Sequence, residues 1–192
     1  MKTNVYVFLF DGFSDWEIAY LMPELRKDEK ISLKTFTGDG SGIVSMGGLR
    51  VTPDLSLSDI DINDVSLLVL PGGTAWEENR ITAIDGFVAA LSAADRDIAA
   101  ICGATVYLGE RGYLDEVKHT SIDLNYLKAV APHYKGDKYY QPVNAVSDKN
   151  IITANGIAPI EFAREVFRKI KLYDEAMIDK WFQLFKNGIW TG

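Results

Sequence analysis

The stretch Asp97-Ile98-Ala99-Ala100-Ile101-Cys102-Gly103-Ala104-Thr105 decides how the chain is read. Its first half is a short apolar run of the kind that fills a strand buried on both faces, and its second half opens a helix over Gly103–Glu110. Cys102 is the joint between them. A side chain there stands on a sharp strand-to-helix turn, and Ala100, Gly103 and Ala104 are small enough for the backbone to fold that tightly. The helix also aims its first N–H groups at the sulfur, which favours thiolate over thiol. The plainer reading of a lone cysteine beside an apolar strand is a small buried hydrophobe. The local pattern leaves both readings open.

On either side the chain alternates strands and helices. Val5–Phe10 is a continuous apolar run that stops at Asp11-Gly12, and a helix capped by Ser14 or Asp15 is expected to reach about Lys27. Ile31–Phe36 reads as a second strand. The glycine-rich segment Gly38–Gly48 lacks the Gly-Lys-Ser/Thr ending of a phosphate loop and predicts a hairpin-like excursion. Val65–Leu70 is a buried strand stopped by Pro71-Gly72-Gly73, followed by a helix over Ile84–Ala94. Beyond the cysteine come a strand opening at Lys118–Ser121, a helix over Asp123–Val130, and short strands at Tyr139–Val146 and Ile151–Thr153. Helices at Pro159–Ile170 and Asp174–Asn187 close the chain. Strands joined by helices predict one α/β domain over residues 1–192, with a mainly parallel sheet covered on both faces. Sites in such sheets lie at the carboxyl ends of strands, here Asp11–Glu17, Pro71–Gly73 and Cys102–Thr105.

Composition narrows the function. With 192 residues, 47% apolar and 24% charged, the chain can bury a substantial core. A net charge of −7 argues against nucleic acid, because the phosphate backbone needs clustered Lys and Arg. The basic cluster Arg164–Arg168–Lys169–Lys171 reads as a solvated helix end. No stretch approaches the roughly 20 apolar residues that span a bilayer, and the N-terminus reads as a first strand rather than a signal peptide. One cysteine cannot close an internal disulfide, so a cytoplasmic setting is expected. One cysteine and two dispersed histidines carry no metal-ligand spacing, so neither metal nor cofactor is expected.

Two further elements accompany Cys102. The glycines of Pro71-Gly72-Gly73 permit close backbone approach, and their N–H groups could receive developing negative charge. Glu17 lies among Trp16, Ile18 and Ala19, so it is expected to face inward, where burial raises its pKa. Its alternative is an exposed acid in a first helical turn, as Asp15 is taken to be.

Taken together, these segments resemble the ThiJ/PfpI family of the class I glutamine amidotransferase-like superfamily. The resemblance is carried by Phe10-Asp11-Gly12-Phe13 through Glu17, by Gly47-Gly48 with Val51-Thr52-Pro53-Asp54, and by Val69-Leu70-Pro71-Gly72-Gly73. Ala100-Ile101-Cys102-Gly103-Ala104, Ile152-Thr153-Ala154-Asn155-Gly156 and Pro159-Ile160-Glu161-Phe162-Ala163 complete it. It implies a flavodoxin-like three-layer sandwich, with Cys102 on a nucleophile elbow beside a protonated Glu17. By the same resemblance, the N–H groups of Gly73 and Gly103 form an oxyanion hole and the protein is a homodimer. An aromatic surface around Tyr134, Tyr139, Tyr140 and the Trp181 helix is the expected contact. Members of that family include peptidases, glyoxalase- or deglycase-like enzymes, isocyanide hydratases and oxidative-stress proteins.

The chain departs from the family where a histidine partner belongs. Gly103 follows the nucleophile, Thr120-Ser121 is followed by Ile122 and Asp123, and no late His-x-Glu pair exists. His119 and His133 are both read as surface residues. Asp123 is either a polar neighbour of the site or a helix cap. The leading expectation is therefore an enzyme acting on a small electrophilic substrate by hydrolase-like, lyase or hydratase chemistry, with a glutaminase or peptidase disfavoured. The rival is a stress-response protein in which Cys102 is reversibly oxidised; a third reading is an interaction domain with a relic pocket.

Overall fold

The computed structural model describes residues 2–78 and 80–190. Its centre is a sheet of seven strands built on four apolar runs. These are β1 (Thr3–Phe8), β6 (Leu67–Leu70), β7 (Asp97–Ile101) and β9 (Ile151–Ala154). Every residue of β6 and β9 is buried, as strands covered on both faces must be. β2 (Ile31–Thr37) and the short β5 (Leu55–Ser56) extend the sheet on one side, and β8 (Ala145–Asp148) closes the other. The order is β5-β2-β1-β6-β7-β9-β8, parallel throughout except for β8 against β9. After β1 the chain builds outward through β2 and β5, then returns to place β6 on the other flank of β1. The gap between the carboxyl ends of β1 and β6 is thus the topological switch point, where open α/β sheets hold their ligands.

Helices cover the sheet. α1 (Leu21–Lys27), α6 (Pro159–Ile170) and α7 (Glu175–Asn187) pack on one another. α2 (Thr74–Glu77), α4 (Gly103–Glu110) and α5 (Leu124–Val130) form a second group, and α3 (Asp85–Ala93) lies against β7. This is the mainly parallel, two-sided sheet that the pattern predicts and the flavodoxin-like α/β sandwich that the family resemblance implies. No helix among the described residues is long and apolar enough to cross a membrane.

The expected hairpin is present as β3 (Ile43–Val44) paired antiparallel with β4 (Arg50–Val51). Four expectations are corrected. The helix placed from Ser14 to about Lys27 is a 3-10 turn at Asp15–Glu17, then a break, then α1, and Ser14 makes no side-chain cap. The strand at Lys118–Ser121 is reduced to one bridge, His119 to Tyr140, because Thr120 and Ser121 spend their groups on side-chain contacts. The aromatic surface expected to hold a partner is largely interior: Tyr134 and Trp181 are buried, and Trp181 stacks edge-on with Phe167 at 4.8 Å. The basic helix end is neutralised rather than simply solvated, since Arg168 pairs with Glu165 and Glu175 and Lys169 with Asp97.

Candidate active site

Cys102 adopts φ +59°, ψ −128°, a conformation that non-glycine residues avoid. Such a backbone is of the order of 1–3 kcal/mol unfavourable and persists only when its surroundings over-determine it. Here they do. The Cys102 N–H donates to the Ala154 carbonyl at 3.0 Å, and the Cys102 carbonyl accepts from the Thr105 N–H at 2.9 Å and the Thr105 hydroxyl at 2.6 Å. Buried Thr105 is itself braced by the Ser121 hydroxyl at 2.6 Å.

Space around the sulfur is kept by glycines. A Cβ on Gly72 would stand 2.6 Å from Cys102 Cβ and 2.6 Å from Glu17 Oε2, and one on Gly156 would stand 2.7 Å from Cys102 Sγ. The oxyanion candidates meet beside it: a Cβ on Gly103 would lie 2.8 Å from the Gly73 carbonyl and 3.5 Å from the Gly73 nitrogen. Gly73 sits at φ +151°, where an added Cβ would come within 2.9 Å of Phe10 and of the Gly12 carbonyl. Trp76 Nε1 donates to the Pro71 carbonyl at 2.9 Å and holds this turn in place.

Glu17 enters from the switch point. The Ser14 N–H donates to the Gly72 carbonyl at 2.9 Å, seating the 3-10 turn on the β6–α2 connection. The Glu17 side chain is fully buried, and its Oε2 accepts the Gly72 N–H at 2.6 Å. Oε1 is buried without a hydrogen-bond partner at ordinary distance, and the further groups that interact with this carboxyl are the Cys102 thiol and the Ser14 hydroxyl. Burial is the main cause that pushes its pKa up to about 7; the Gly72 N–H, the thiol and Ser14 pull the other way.

The thiol contradicts the expectation from the helix N-terminus. Burial first, then the Glu17 carboxyl, then Glu77 push its pKa up to about 12, and the Gly103 N–H offsets only part of this. The effect is one-sided, since the carboxylate raises the thiol while the thiol lowers the carboxyl, and between about 7 and about 12 the pair holds a single proton. At neutral pH Cys102 is a partly exposed thiol, and Glu17, expected to be protonated, is divided about evenly between acid and carboxylate, the carboxylate being the form that can accept the thiol proton.

The remaining candidates fall elsewhere. Asp123 is exposed and caps α5, its Oδ1 accepting the N–H groups of Asn125 and Tyr126 at 2.8 and 3.0 Å, which decides for the cap. His133 is exposed and pairs with Glu110. His119 is fully buried, not a surface residue. Its Nδ1 lies 2.7 Å from the Val117 carbonyl and its Nε2 2.6 Å from the Tyr134 hydroxyl, so both ring nitrogens are occupied away from the sulfur. Burial lowers its pKa and keeps it neutral. Asp15 is no idle surface acid: its carboxylate takes the Ser45 hydroxyl and the Gly47 N–H, clamping the β3–β4 hairpin to the turn that carries Glu17.

Sequence reasoning missed Glu77 and Tyr126. The two interact; Glu77 raises the pKa of the Cys102 thiol, and Cys102 in turn raises that of Tyr126. Glu77 lies four residues after Gly73 and Tyr126 three after Asp123, one turn past each of two features already singled out. That spacing was the available signal.

Known proteins resemble this chain in sequence and in fold. Residues 3–169 match the DJ-1/PfpI family. The uncharacterized protease YoaZ of Bacillus subtilis (strain 168) is 41% identical over 97% of this chain and 93% of its own length. A ThiJ/PfpI family protein from Bacillus anthracis has a crystal structure with TM-score 0.92 at 39% identity, over 98% of this chain and 92% of that one. The DJ-1 superfamily protein Atu0886 from Agrobacterium tumefaciens follows at TM-score 0.89 and 36% identity, over 97% and 98%. The chain belongs to the DJ-1/PfpI family.

Proposed function

We propose that the protein is a cysteine-dependent enzyme acting on a small electrophilic carbon, with hydrolase-like turnover. Cys102 attacks, Glu17 takes the thiol proton and returns it, and the N–H groups of Gly73 and Gly103 stabilise the oxyanion. One observation carries this reading: a fully buried carboxyl, raised to about 7, stands behind a cysteine held in a strained backbone conformation. A proton acceptor titrating near neutrality is matched to a thiol that would otherwise stay neutral. The small space beside the sulfur, bounded by Gly72 and Gly156, favours compact substrates over ordinary peptides. The rival reading, reversible oxidation of Cys102, needs the same loss of the thiol proton to Glu17, and the turnover panel separates it from catalysis.

The working form in this proposal is a homodimer in the cytoplasm. Trp16, Val44, Met46 and Leu49 are exposed apolar side chains on the 3-10 turn and its clamped hairpin, adjacent to Glu17. Light scattering at micromolar concentration is expected to give twice the chain mass, and a clean monomer removes the dimer from the proposal. The chemistry is tested with a panel of aldehydes, esters, thioesters and amides, using intact mass to locate adducts. Cys102→Ser is expected to abolish turnover and adducts together. Retention of the wild-type rate by Cys102→Ser rejects the assignment.

A further inference from the structure

Two carboxyls act on Cys102, and they differ in access. Glu17 is fully buried against Gly72, whereas Glu77 is half-buried. Glu77 reaches the turn after the nucleophile, since a Cβ on Gly103 would stand 3.4 Å from Glu77 Oε1. The same residue lines an open cavity of about 200 Å³ with Tyr107, Glu110 and Arg111 between α2, α4 and the end of α5. Tyr126, also half-buried, projects from the first turn of α5, whose start is fixed by the Asp123 cap. Its hydroxyl hydrogen-bonds to Glu77, and burial with this carboxylate raises its pKa to about 12, so it stays a neutral O–H.

Breaking a covalent intermediate on Cys102 requires a water and a group to take its proton. A carboxyl sealed from solvent cannot receive that water. Glu77 can, because it lines a cavity of about 200 Å³ large enough for water and also reaches the elbow at Gly103. We propose that Glu77, relayed through the Tyr126 hydroxyl, is the base that activates water to release an acyl group from Cys102, the task an imidazole performs in other cysteine hydrolases. This rests on the reading of Cys102 as the nucleophile.

In the release step a water oxygen adds to the acyl carbon while its proton passes to the Tyr126 oxygen and the Tyr126 proton passes to the Glu77 carboxylate. The C=O electron pair moves to the carbonyl oxygen. When that pair returns, the C–S bond breaks with its electrons going to sulfur, and Glu17 returns to sulfur the proton it took during attack. The carboxylic acid product leaves, and Glu77 gives its proton to solvent.

The probe is p-nitrophenyl acetate with the intact protein, using chain mass to follow acetylation of Cys102 and its loss. In Glu77→Gln and Tyr126→Phe, release is expected to slow at least tenfold more than acetylation, so acetylated chain accumulates. Glu77→Asp, which keeps a base but shortens it, is expected to release faster than Glu77→Gln, which keeps the shape but not the base. The inference is overturned if both variants release acetyl within twofold of wild type. It is overturned equally if Glu77→Gln outperforms Glu77→Asp, since shape would then be the residue's contribution. If the wild-type chain is never acetylated on Cys102, the nucleophile reading itself falls and takes this inference with it. That outcome is distinct, because the first two leave an acetylated Cys102 to observe.

Discussion

Replacing Glu17 with glutamine should make the protein more stable, and only at the higher end of pH. In the unfolded chain this carboxyl titrates near 4.5, and in the folded chain near 7. Between those values the folded state binds the extra proton, so stability falls as pH rises through the window. Above it, the folded state carries a buried carboxylate whose penalty is set by the pKa difference of about 2.5, or about 3 kcal/mol. Glutamine is neutral in both states and can still accept the Gly72 N–H. Its amide N–H₂ would then face the sulfur, a weak acceptor, which returns up to about 1 kcal/mol of the gain. Urea unfolding of wild type and Glu17→Gln at one chain concentration reads the difference directly. The variant is expected to gain about 2–3 kcal/mol near pH 8.5 and about 1 kcal/mol or less near pH 5. The same variant should lose turnover, since stabilisation by removing a functional group is the usual stability–activity exchange. No gain near pH 8.5, or an equal gain at both values, would refute the argument that Glu17 is a desolvated proton carrier.

Three other outcomes follow from the geometry. Thiolate absorbance, with Cys102→Ser as the blank, is expected to rise only toward pH 12 in wild type, and Glu17→Gln should lower that midpoint by about one or more; a wild-type midpoint below about 8 contradicts the shared-proton pair. Gly72→Ala places a methyl 2.6 Å from both Cys102 Cβ and Glu17 Oε2, so it should lose turnover and about 1–3 kcal/mol of stability; an active, stable variant would show the site is looser than described. His119→Ala leaves the Tyr134 hydroxyl and Val117 carbonyl unpaired in the interior, with an expected loss of about 1–3 kcal/mol, whereas His133→Ala should stay within about 0.5 kcal/mol. Neither should change the rate of Cys102 alkylation by more than about threefold, and a hundredfold drop for either would mean the base has been misassigned.

What could be read from the sequence was whatever a short stretch decides by itself. The buried strands at Val5, Leu67 and Ile98 announced themselves as apolar runs, and their carboxyl ends carried Glu17, Gly73 and Cys102. The resemblance joined those three points. What could not be read was set by contacts between distant segments. Asp15 looks like any first-turn acid until the hairpin is folded onto it from thirty residues away. His119 looks like a polar surface residue until Tyr134, Tyr140 and Gly136 close over it. The thiol's pKa went the wrong way for a similar reason. The pull of the helix N-terminus is local and visible in sequence, but burial and a carboxyl 85 positions earlier in the chain outweigh it.

The glycines around Cys102 also bear on how substitutions in this protein are to be interpreted. At Gly72, Gly73, Gly103 and Gly156, even the single carbon of alanine would stand closer than 3.0 Å to an atom of the site or of its supporting turns. None of the four has a side chain with which to react. A saturation scan scored by activity would nevertheless rank them with Cys102 and Glu17, and would rank Asp123 and His133 among the tolerant positions. Interpreted as side-chain chemistry, such a map would invent four reactive side chains. Interpreted as occupancy, it outlines the space that a substrate must fit, drawn by the atoms that have to be absent.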